Sequence, residues 1–274
     1  MFVIILFCFC FGIVVAAHLL YNQHIGEVKI FERLRLEDDT RDLVILDGND
    51  SVLLAGQLSV KMPHHLHAYS CLPNKESQGV RSSSSICLSL SLCLQDPVKC
   101  LEWPGQAIMR ITERREDSEG VVCHRVVTQS LSKEISPCDC WPVGGGGAPH
   151  WYGGGESLLS SWPLGRDTLN MTPFVTGDEQ RRLWGNIIRK FFINSKGISI
   201  NVDTESPLSV SLGRELCLEA SYSEFPYYYH RDNLPSLNYT ICTGQNINQL
   251  YRSHLKPFWY CFSLAAGRSL YSNV

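Results

Sequence analysis

The segment 138–164 holds the residues of this chain best suited to contact a ligand. Its sequence, CDCWPVGGGGAPHWYGGGESLLSSWPL, contains three of the chain's six tryptophans, one tyrosine, one histidine and seven glycines. Aromatic rings offer flat apolar faces with polar edges, and glycines let the backbone approach a ligand closely. This glycine-aromatic segment therefore predicts a loop that contacts a sugar ring. The structural alternative is a glycine-rich turn pinned to a β core by buried aromatic side chains.

Four residues of the glycine-aromatic segment are predicted to form the rim of a sugar site: His150, Trp151, Tyr152 and Glu156. Glu156 ends the HWYGGGE run, where its carboxylate can accept hydrogen bonds from sugar hydroxyls or from backbone N–H groups. For Glu156 the structural role is favoured over direct contact with a sugar.

The sequence contains no motif that matches a phosphate-binding loop, a zinc site or a nucleic-acid-binding surface. Gly144–Gly147 lacks the Gly-Lys-Ser/Thr ending of a phosphate-binding loop, and Pro149 stands where the helix of such a motif would begin. Cys138 and Cys140 are two positions apart, which does not fit the C-x-x-C pairs of zinc sites. A net charge of -3 gives no electrostatic footprint for nucleic acid. We therefore expect no cofactor, no metal and no nucleic-acid partner.

The elements that must position the segment are mostly strands. Apolar and polar residues alternate over short runs separated by turn residues such as Asp47 and Gly48, which favours an antiparallel β-sandwich. Gln245–Leu255 predicts a short C-terminal helix because its apolar residues share one face. The predicted strands are Val28–Leu36, Leu43–Leu46, Val52–Val60, Ile108–Ile111, Val121–Val127, Ile187–Ile193, Ile198–Val202, Leu208–Leu212, Leu216–Ala220 and Leu237–Cys242.

The first residues predict a segment that enters or crosses a membrane. Phe2–Leu20 is apolar except for His18, and about 20 apolar residues suffice to cross a bilayer as a helix. Val15 and Ala17 fit the small-residue pattern before a signal-peptide cleavage point, but the positively charged start of a signal peptide is missing. We favour a signal anchor over 1–21, with a cleaved signal peptide as the alternative. Either one predicts a type II membrane protein with a lumenal or extracellular domain, or a secreted protein.

Two further features agree with a secretory location. The chain has twelve cysteines, which is many for a cytosolic protein. It also has three N-glycosylation acceptor sequences, which begin at Asn49, Asn170 and Asn238. Three cysteines bracket the start of the glycine-aromatic segment and are the best disulfide candidates: Cys123, Cys138 and Cys140.

Several motifs in and after the glycine-aromatic segment resemble those of glycoside hydrolase family 31, in particular its type II membrane, α-galactosidase-like branch. Their order and spacing agree with the family over about residues 120–256, and the resemblance extends loosely back towards residue 28. The matching motifs are HWYGGGE at His150–Glu156, SWPL at Ser161–Leu164, PFVT at Pro173–Thr176, FFINSKGISINVDTESPL at Phe191–Leu208 and NYTICTG at Asn238–Gly244.

The resemblance implies a galactose-mutarotase-like β-sandwich that packs against a (β/α)8 barrel and lends a loop to the rim of its active site. In the family, two aspartates of the barrel carry out retaining hydrolysis as nucleophile and as general acid/base. A barrel needs roughly 250 residues, whereas only Lys256–Val274 follow the predicted helix. Nothing here resembles the W-x-D-M-N-E type nucleophile motif, and Asp203 and Glu205 are assigned to a turn. We expect no catalytic residue in this chain alone, which leaves its standing as an enzyme open.

The sequence thus predicts a mainly β protein in three parts: a signal anchor or signal peptide at 1–21, a β-sandwich at 22–244 with a low-complexity insertion at 82–94, and a helix and tail at 245–274. The predicted function is that of an N-terminal accessory domain of an α-glycosidase-like protein, which binds an α-linked sugar when full length. A non-catalytic carbohydrate-binding or protein-interaction module is the alternative. The membrane is an expected partner through the N-terminal segment, and a homodimer is left open.

Overall fold

The structure is a computed structural model of the 274-residue chain. It describes residues 27–31, 33–37, 41–62, 67–70, 98–116, 120–144, 147–155, 162–177, 184, 185, 187 and 189–253. The predicted N-terminal helix, the low-complexity insertion and Glu156 lie outside these residues.

The described strands form two antiparallel sheets of eight strands each. In spatial order the first sheet contains β1 (Glu27–Phe31), β2 (Leu34–Glu37), β3 (Asp42–Leu46), β4 (Val52–Gln57), β9 (Cys138–Pro142), β15 (Glu215–Ala220), β14 (Leu208–Leu212) and β11 (Leu169–Pro173). The second sheet contains β10 (Trp151–Gly153), β12 (Phe191–Asn194), β13 (Ile198–Val202), β16 (Ser236–Thr243), β8 (Val121–Ser130), β7 (Ala107–Glu116), β6 (Val98–Trp103) and β5 (His67–Ser70).

A continuous hydrophobic core lies between the two sheets. Successive side chains of a strand point to opposite faces, so every second residue enters the core. In β2, for example, Leu34 and Leu36 are fully buried whereas Arg35 and Glu37 are only partly so. The core draws residues from both sheets and includes Trp103, Trp141, Trp151 and Trp184. The predicted mainly β, antiparallel sandwich is therefore confirmed.

The strand predicted over Val28–Leu36 is in fact a hairpin. β1 and β2 pair antiparallel, with Phe31 opposite Leu34 and a turn at Arg33. Residues directly opposite each other share one face of a sheet, so the apolar residues on both sides of the turn reach the same core. The alternation of apolar and polar residues consequently continues through the turn, so the sequence pattern does not reveal the turn.

The glycine-aromatic segment contains two strands that the sequence did not predict, and a third, β11, follows it. β9 lies in the first sheet between β4 and β15, whereas β10 lies at the edge of the second sheet. The segment therefore carries the chain from one sheet to the other at one end of the sandwich.

A short helix near the C-terminus, α1, covers residues 247–253, close to the predicted range. The side-chain oxygen of Asn246 accepts a hydrogen bond from the Gln249 N–H at 2.9 Å, as in a helix N-cap. Leu250 packs in a second buried cluster with Val121, Cys123 and Cys242. The helix thus packs against β8 and β16 of the second sheet.

Within the described part of the chain, no helix is long and apolar enough to cross a bilayer.

Four buried polar residues connect the two sheets and form what we term the polar bridge: Arg41, Ser59, Asp139 and Tyr239. The carboxylate of Asp139, in β9, accepts hydrogen bonds from the Ser59 N–H at 2.7 Å and from the Tyr239 hydroxyl at 2.9 Å. The Arg41 guanidinium donates to the carbonyl of Ser59 at 2.9 Å and to the carbonyl of Met62. Burial raises the pKa of Asp139 to about 6, although both hydrogen bonds oppose this shift.

Candidate ligand site at the glycine-aromatic segment

Trp151 anchors the glycine-aromatic segment to the core. Its side chain is 0% exposed, and its indole N–H donates a hydrogen bond to the Pro142 carbonyl at 3.0 Å. In β10 it lies opposite Asn194 of β12. Trp151 was predicted as a rim residue, but a fully buried ring offers no face for a sugar to stack on. Its burial and its hydrogen bond hold the backbone of its neighbours in place.

His150 and Tyr152 flank Trp151 and are the predicted rim residues that reach the surface. His150 is exposed and Tyr152 is partly exposed, because neighbouring strand residues point to opposite faces. The backbone at His150 is fixed by two hydrogen bonds to Ser195, one from its N–H to the Ser195 hydroxyl at 3.0 Å and one from the Ser195 N–H to its carbonyl at 2.8 Å. Both side chains therefore project from a held backbone.

Gly153 ends β10 where no other residue would fit. Its φ is +102°, and a Cβ added there would lie 2.5 Å from the carbonyl oxygen of Phe191. The glycine therefore allows β10 to pair closely with β12.

A cleft of about 390 Å³ lies beside this strand, between the chain that follows β9, residues 163–168 and the turn from β14 to β15. Gly165, with φ of +91°, makes this arrangement possible, because a Cβ there would lie 2.3 Å from Val143 and 2.9 Å from the Gly213 carbonyl. The polar side chains that line the cleft are His150, Arg166, Thr168 and Arg214.

Trp162 is the exposed tryptophan of the segment. It is 63% exposed and directly precedes Pro163, which lines the cleft. The prediction had the rim at Trp151 instead, within the HWYGGGE motif. In the structure Trp151 and Tyr152 belong to β10, whereas Trp162 belongs to none of the described strands.

Disulfides form between cysteines that are paired across adjacent strands. Cys140 of β9 lies opposite Cys217 of β15, and Cys123 of β8 lies opposite Cys242 of β16. Cys138 was a disulfide candidate, but it is a buried free thiol. It lies opposite Glu219 rather than a cysteine, so no partner is within reach in its own ladder.

One group of described residues has the spacing of a metal site, but two of its members are bonded to each other in one of these disulfides. Cys140, Glu215 and Cys217 bring their sulfur and oxygen atoms within 4.8 Å of one another. Because the two sulfurs are bonded to each other, they are not thiolates and cannot act as metal ligands.

Asp203 has a structural partner, in keeping with the turn role expected for it. Its carboxylate forms an ion pair with Arg125 at the edge of another cleft of about 520 Å³. In the same cleft the Lys190 ammonium donates to the carbonyls of Thr204 at 2.9 Å and Ser206 at 2.7 Å. Burial lowers the pKa of Lys190 to about 8. These contacts fix the turn after β13.

Comparison with known proteins places a family match on the same part of the chain. Residues 141–216 match the family described as the Myogenesis-regulating glycosidase N-terminal domain. Every residue that lines the cleft beside β10 falls within this range.

Two curated relatives are similar to this chain. The SITS-binding protein of Tetronarce californica is 27% identical over 157 residues, which cover 56% of this chain and 21% of the relative. The Myogenesis-regulating glycosidase of Mus musculus is 28% identical over 123 residues, which cover 42% of this chain and 17% of the relative. The match thus spans about a fifth of the length of each relative.

The family match, the two relatives and the β-sandwich agree with the resemblance found in the sequence. Residues 141–216 are similar to the myogenesis-regulating glycosidase N-terminal domain, and the similarity to the two relatives has the same direction.

Proposed function

We propose that this chain is an accessory β-sandwich of a family 31 α-glycosidase-like protein, and that the end of the sandwich around His150 and Tyr152 forms one rim of its sugar site. The rest of that site, including the catalytic aspartates, would come from residues outside this sequence. On its own the chain then contacts sugar without hydrolysing it.

The observation that carries the proposal is the fixed position of His150, which lines a cleft, and of Tyr152, which is partly exposed two residues further along the chain. Trp151, buried between them, ties their backbone to the core, and Ser195 holds His150 from the neighbouring hairpin. A rim residue whose position is set before the sugar arrives avoids the binding free energy that ordering a mobile loop would cost.

The claim about catalysis is tested with the purified chain and the nitrophenyl α-galactoside and α-glucoside substrates. Retaining hydrolysis needs two carboxylates about 5 Å apart, so we expect no release of nitrophenol above the uncatalysed rate. Measurable turnover would overturn the claim that the catalytic residues lie outside this sequence.

The claim about the rim is tested by nuclear magnetic resonance titration with methyl α-galactoside. We expect weak binding that shifts the backbone amides of His150 and Tyr152 and that is reduced by Tyr152→Ala. Tyr229→Ala is the matched control, because Tyr229 is 76% exposed on the 3-10 helix Tyr227–His230 outside the cleft. If the shifts persist in Tyr152→Ala, or if no shifts are seen at all, the proposed rim is wrong.

A stand-alone carbohydrate-binding module is the second candidate, and the exposure of Trp162 favours it. An indole beside a cleft is a sugar-stacking surface that needs no further domain. A glycan array separates the two candidates: a stand-alone module should retain a glycan on the array and lose it on Trp162→Ala, whereas an isolated rim should retain none.

We also propose that the sandwich works in the secretory lumen or outside the cell, on a membrane-anchored or secreted protein. Its support is the pair of cross-strand disulfides, which are typical of oxidising compartments. Of the acceptor asparagines, Asn49 and Asn170 are exposed, whereas Asn238 is partly buried within β16. Expression in secreting cells should give a mass loss on enzymatic deglycosylation that falls with Asn49→Gln and Asn170→Gln. An unglycosylated product would contradict lumenal placement.

A further inference from the structure

The cleft beside β10 carries an excess of positive charge. Arg166 and Arg214 both line it, together with His150, and no carboxylate lies among its lining residues. The neighbouring acids in sequence, Asp167 and Glu215, are exposed and lie outside that lining. Within the described residues, neither arginine forms an ion pair.

The backbone that presents the two arginines is held in place on both sides. The Arg214 carbonyl accepts a hydrogen bond from the Val143 N–H at 2.9 Å, which fixes the turn between β14 and β15. The Leu164 N–H donates to the Trp151 carbonyl at 2.8 Å, two residues before Arg166. Close contact of Gly165 with Val143 and Gly213 brings the two stretches together. These backbone contacts therefore place both guanidinium groups at one cleft.

We propose that this cleft binds the oxyanion of a small ligand, namely the carboxylate, sulfate or phosphate group of an acidic sugar. Guanidinium groups donate paired, charge-assisted hydrogen bonds to such groups, and the Thr168 hydroxyl adds a neutral donor at the same wall. A volume of about 390 Å³ is within the range of roughly 300–1,000 Å³ common for small-molecule sites. The inference goes beyond a neutral-sugar rim, because a neutral sugar requires no cation.

The test compares anionic with neutral ligands on the intact chain by isothermal titration calorimetry. The probes are glucuronate, glucose 6-sulfate and glucose 6-phosphate, with glucose and methyl α-galactoside as neutral counterparts and inorganic sulfate to measure the bare anion. We expect at least one acidic sugar to bind about tenfold or more tightly than glucose, and its binding to weaken as salt screens the charges.

Variants assign that binding to the cleft. Arg166→Gln and Arg214→Gln should each weaken it about tenfold, since a charge-assisted hydrogen bond is lost. Arg252→Gln is the matched control, because Arg252 is also exposed but lies on α1 outside the cleft. It should leave the affinity unchanged, and far-ultraviolet circular dichroism checks that each variant is folded.

Three outcomes would contradict the proposed anion site, and one would separate it from the neutral-sugar rim. If no acidic sugar binds better than glucose, or if Arg252→Gln weakens binding as much as the cleft variants, the inference is wrong. Binding of inorganic sulfate with equal affinity in all variants would show an adventitious ion only and would also overturn it. If acidic sugars bind at the cleft while methyl α-galactoside causes no response, the neutral rim fails and the anion site stands.

Discussion

The interior beneath the glycine-aromatic segment and the cleft at its surface treat charge in opposite ways. Inside, the Asp139 carboxylate is fully buried and receives hydrogen bonds from both Ser59 and Tyr239. At the cleft, Arg166 and Arg214 are exposed and have no ion-pair partner among the described residues. A buried charge must be compensated by groups within the chain. An exposed charge is solvated by water, which a ligand can displace. The interior therefore serves stability, and the cleft is free to serve binding.

The largest expected effect separates the two tryptophans of the segment. Trp151→Ala removes a fully buried indole and should lower the free energy of unfolding by about 3–5 kcal/mol. Trp162→Ala removes an exposed ring and should change it by no more than about 0.5 kcal/mol. Urea denaturation followed by circular dichroism measures both. Similar losses for the two variants would break the distinction between interior and surface.

The second prediction concerns pH and Asp139. Burial raises the pKa of this carboxyl from 3.8 to about 6 in the folded protein. Its contribution to stability is therefore complete below about pH 4, falls as pH rises towards 6, and is lost above that, a change of roughly 3 kcal/mol.

Asp139→Asn isolates this contribution because an amide does not titrate. Urea midpoints between pH 4 and pH 7 should show the original protein losing stability with rising pH relative to the variant. Parallel pH profiles would mean that Asp139 is not a titrating buried acid.

The third prediction sharpens the other side of the comparison. Arg166→Gln and Arg214→Gln should each change the free energy of unfolding by no more than about 0.5 kcal/mol, because neither exposed guanidinium has an ion pair to lose within the described residues. Thermal denaturation at matched salt tests this. A loss of several kcal/mol would show that the arginines hold the fold together.

The smallest effect is expected at Cys138, where the native protein should show almost no reaction. The thiol is 2% exposed, and burial raises its pKa to about 12, so the reactive thiolate is scarce. Iodoacetamide should label it only after unfolding in urea, as read by mass spectrometry. Rapid labelling of the folded chain at pH 8 would place Cys138 at an accessible surface.

The sequence allowed the sandwich to be predicted because its signal is repeated in many strands. β13, β14 and β15 were anticipated almost to the residue, since each alternates core residues such as Leu208 and Val210 with polar ones. The hairpin of β1 and β2 was missed because its turn preserves the alternation, with Phe31 and Leu34 on the same face.

The site was harder to predict because it depends on which strands become neighbours. Trp151 and Trp162 both belong to the glycine-aromatic segment, but Trp151 lies in β10, which pairs with β12, and is buried, whereas Trp162 is exposed. Cys140 meets Cys217 because β9 and β15 are adjacent, which spacing cannot reveal. Arg166 and Arg214 are 48 positions apart in the chain, and they line one cleft because Arg166 precedes β11 and Arg214 follows β14, which is the neighbour of β11 in the first sheet.

The polar bridge also sets how the molecule opens. Ser59, Asp139 and Tyr239 come from the first, middle and last thirds of the described chain, and they are bonded in sequence order across both sheets. If the segment at Ser59 or the segment at Tyr239 opened, the buried carboxylate of Asp139 would lose one of its two hydrogen-bond donors. Local opening at either place therefore costs free energy at Asp139. The two sheets should therefore unfold as one cooperative unit, and the Ser59 amide should exchange with solvent only when the whole sandwich unfolds.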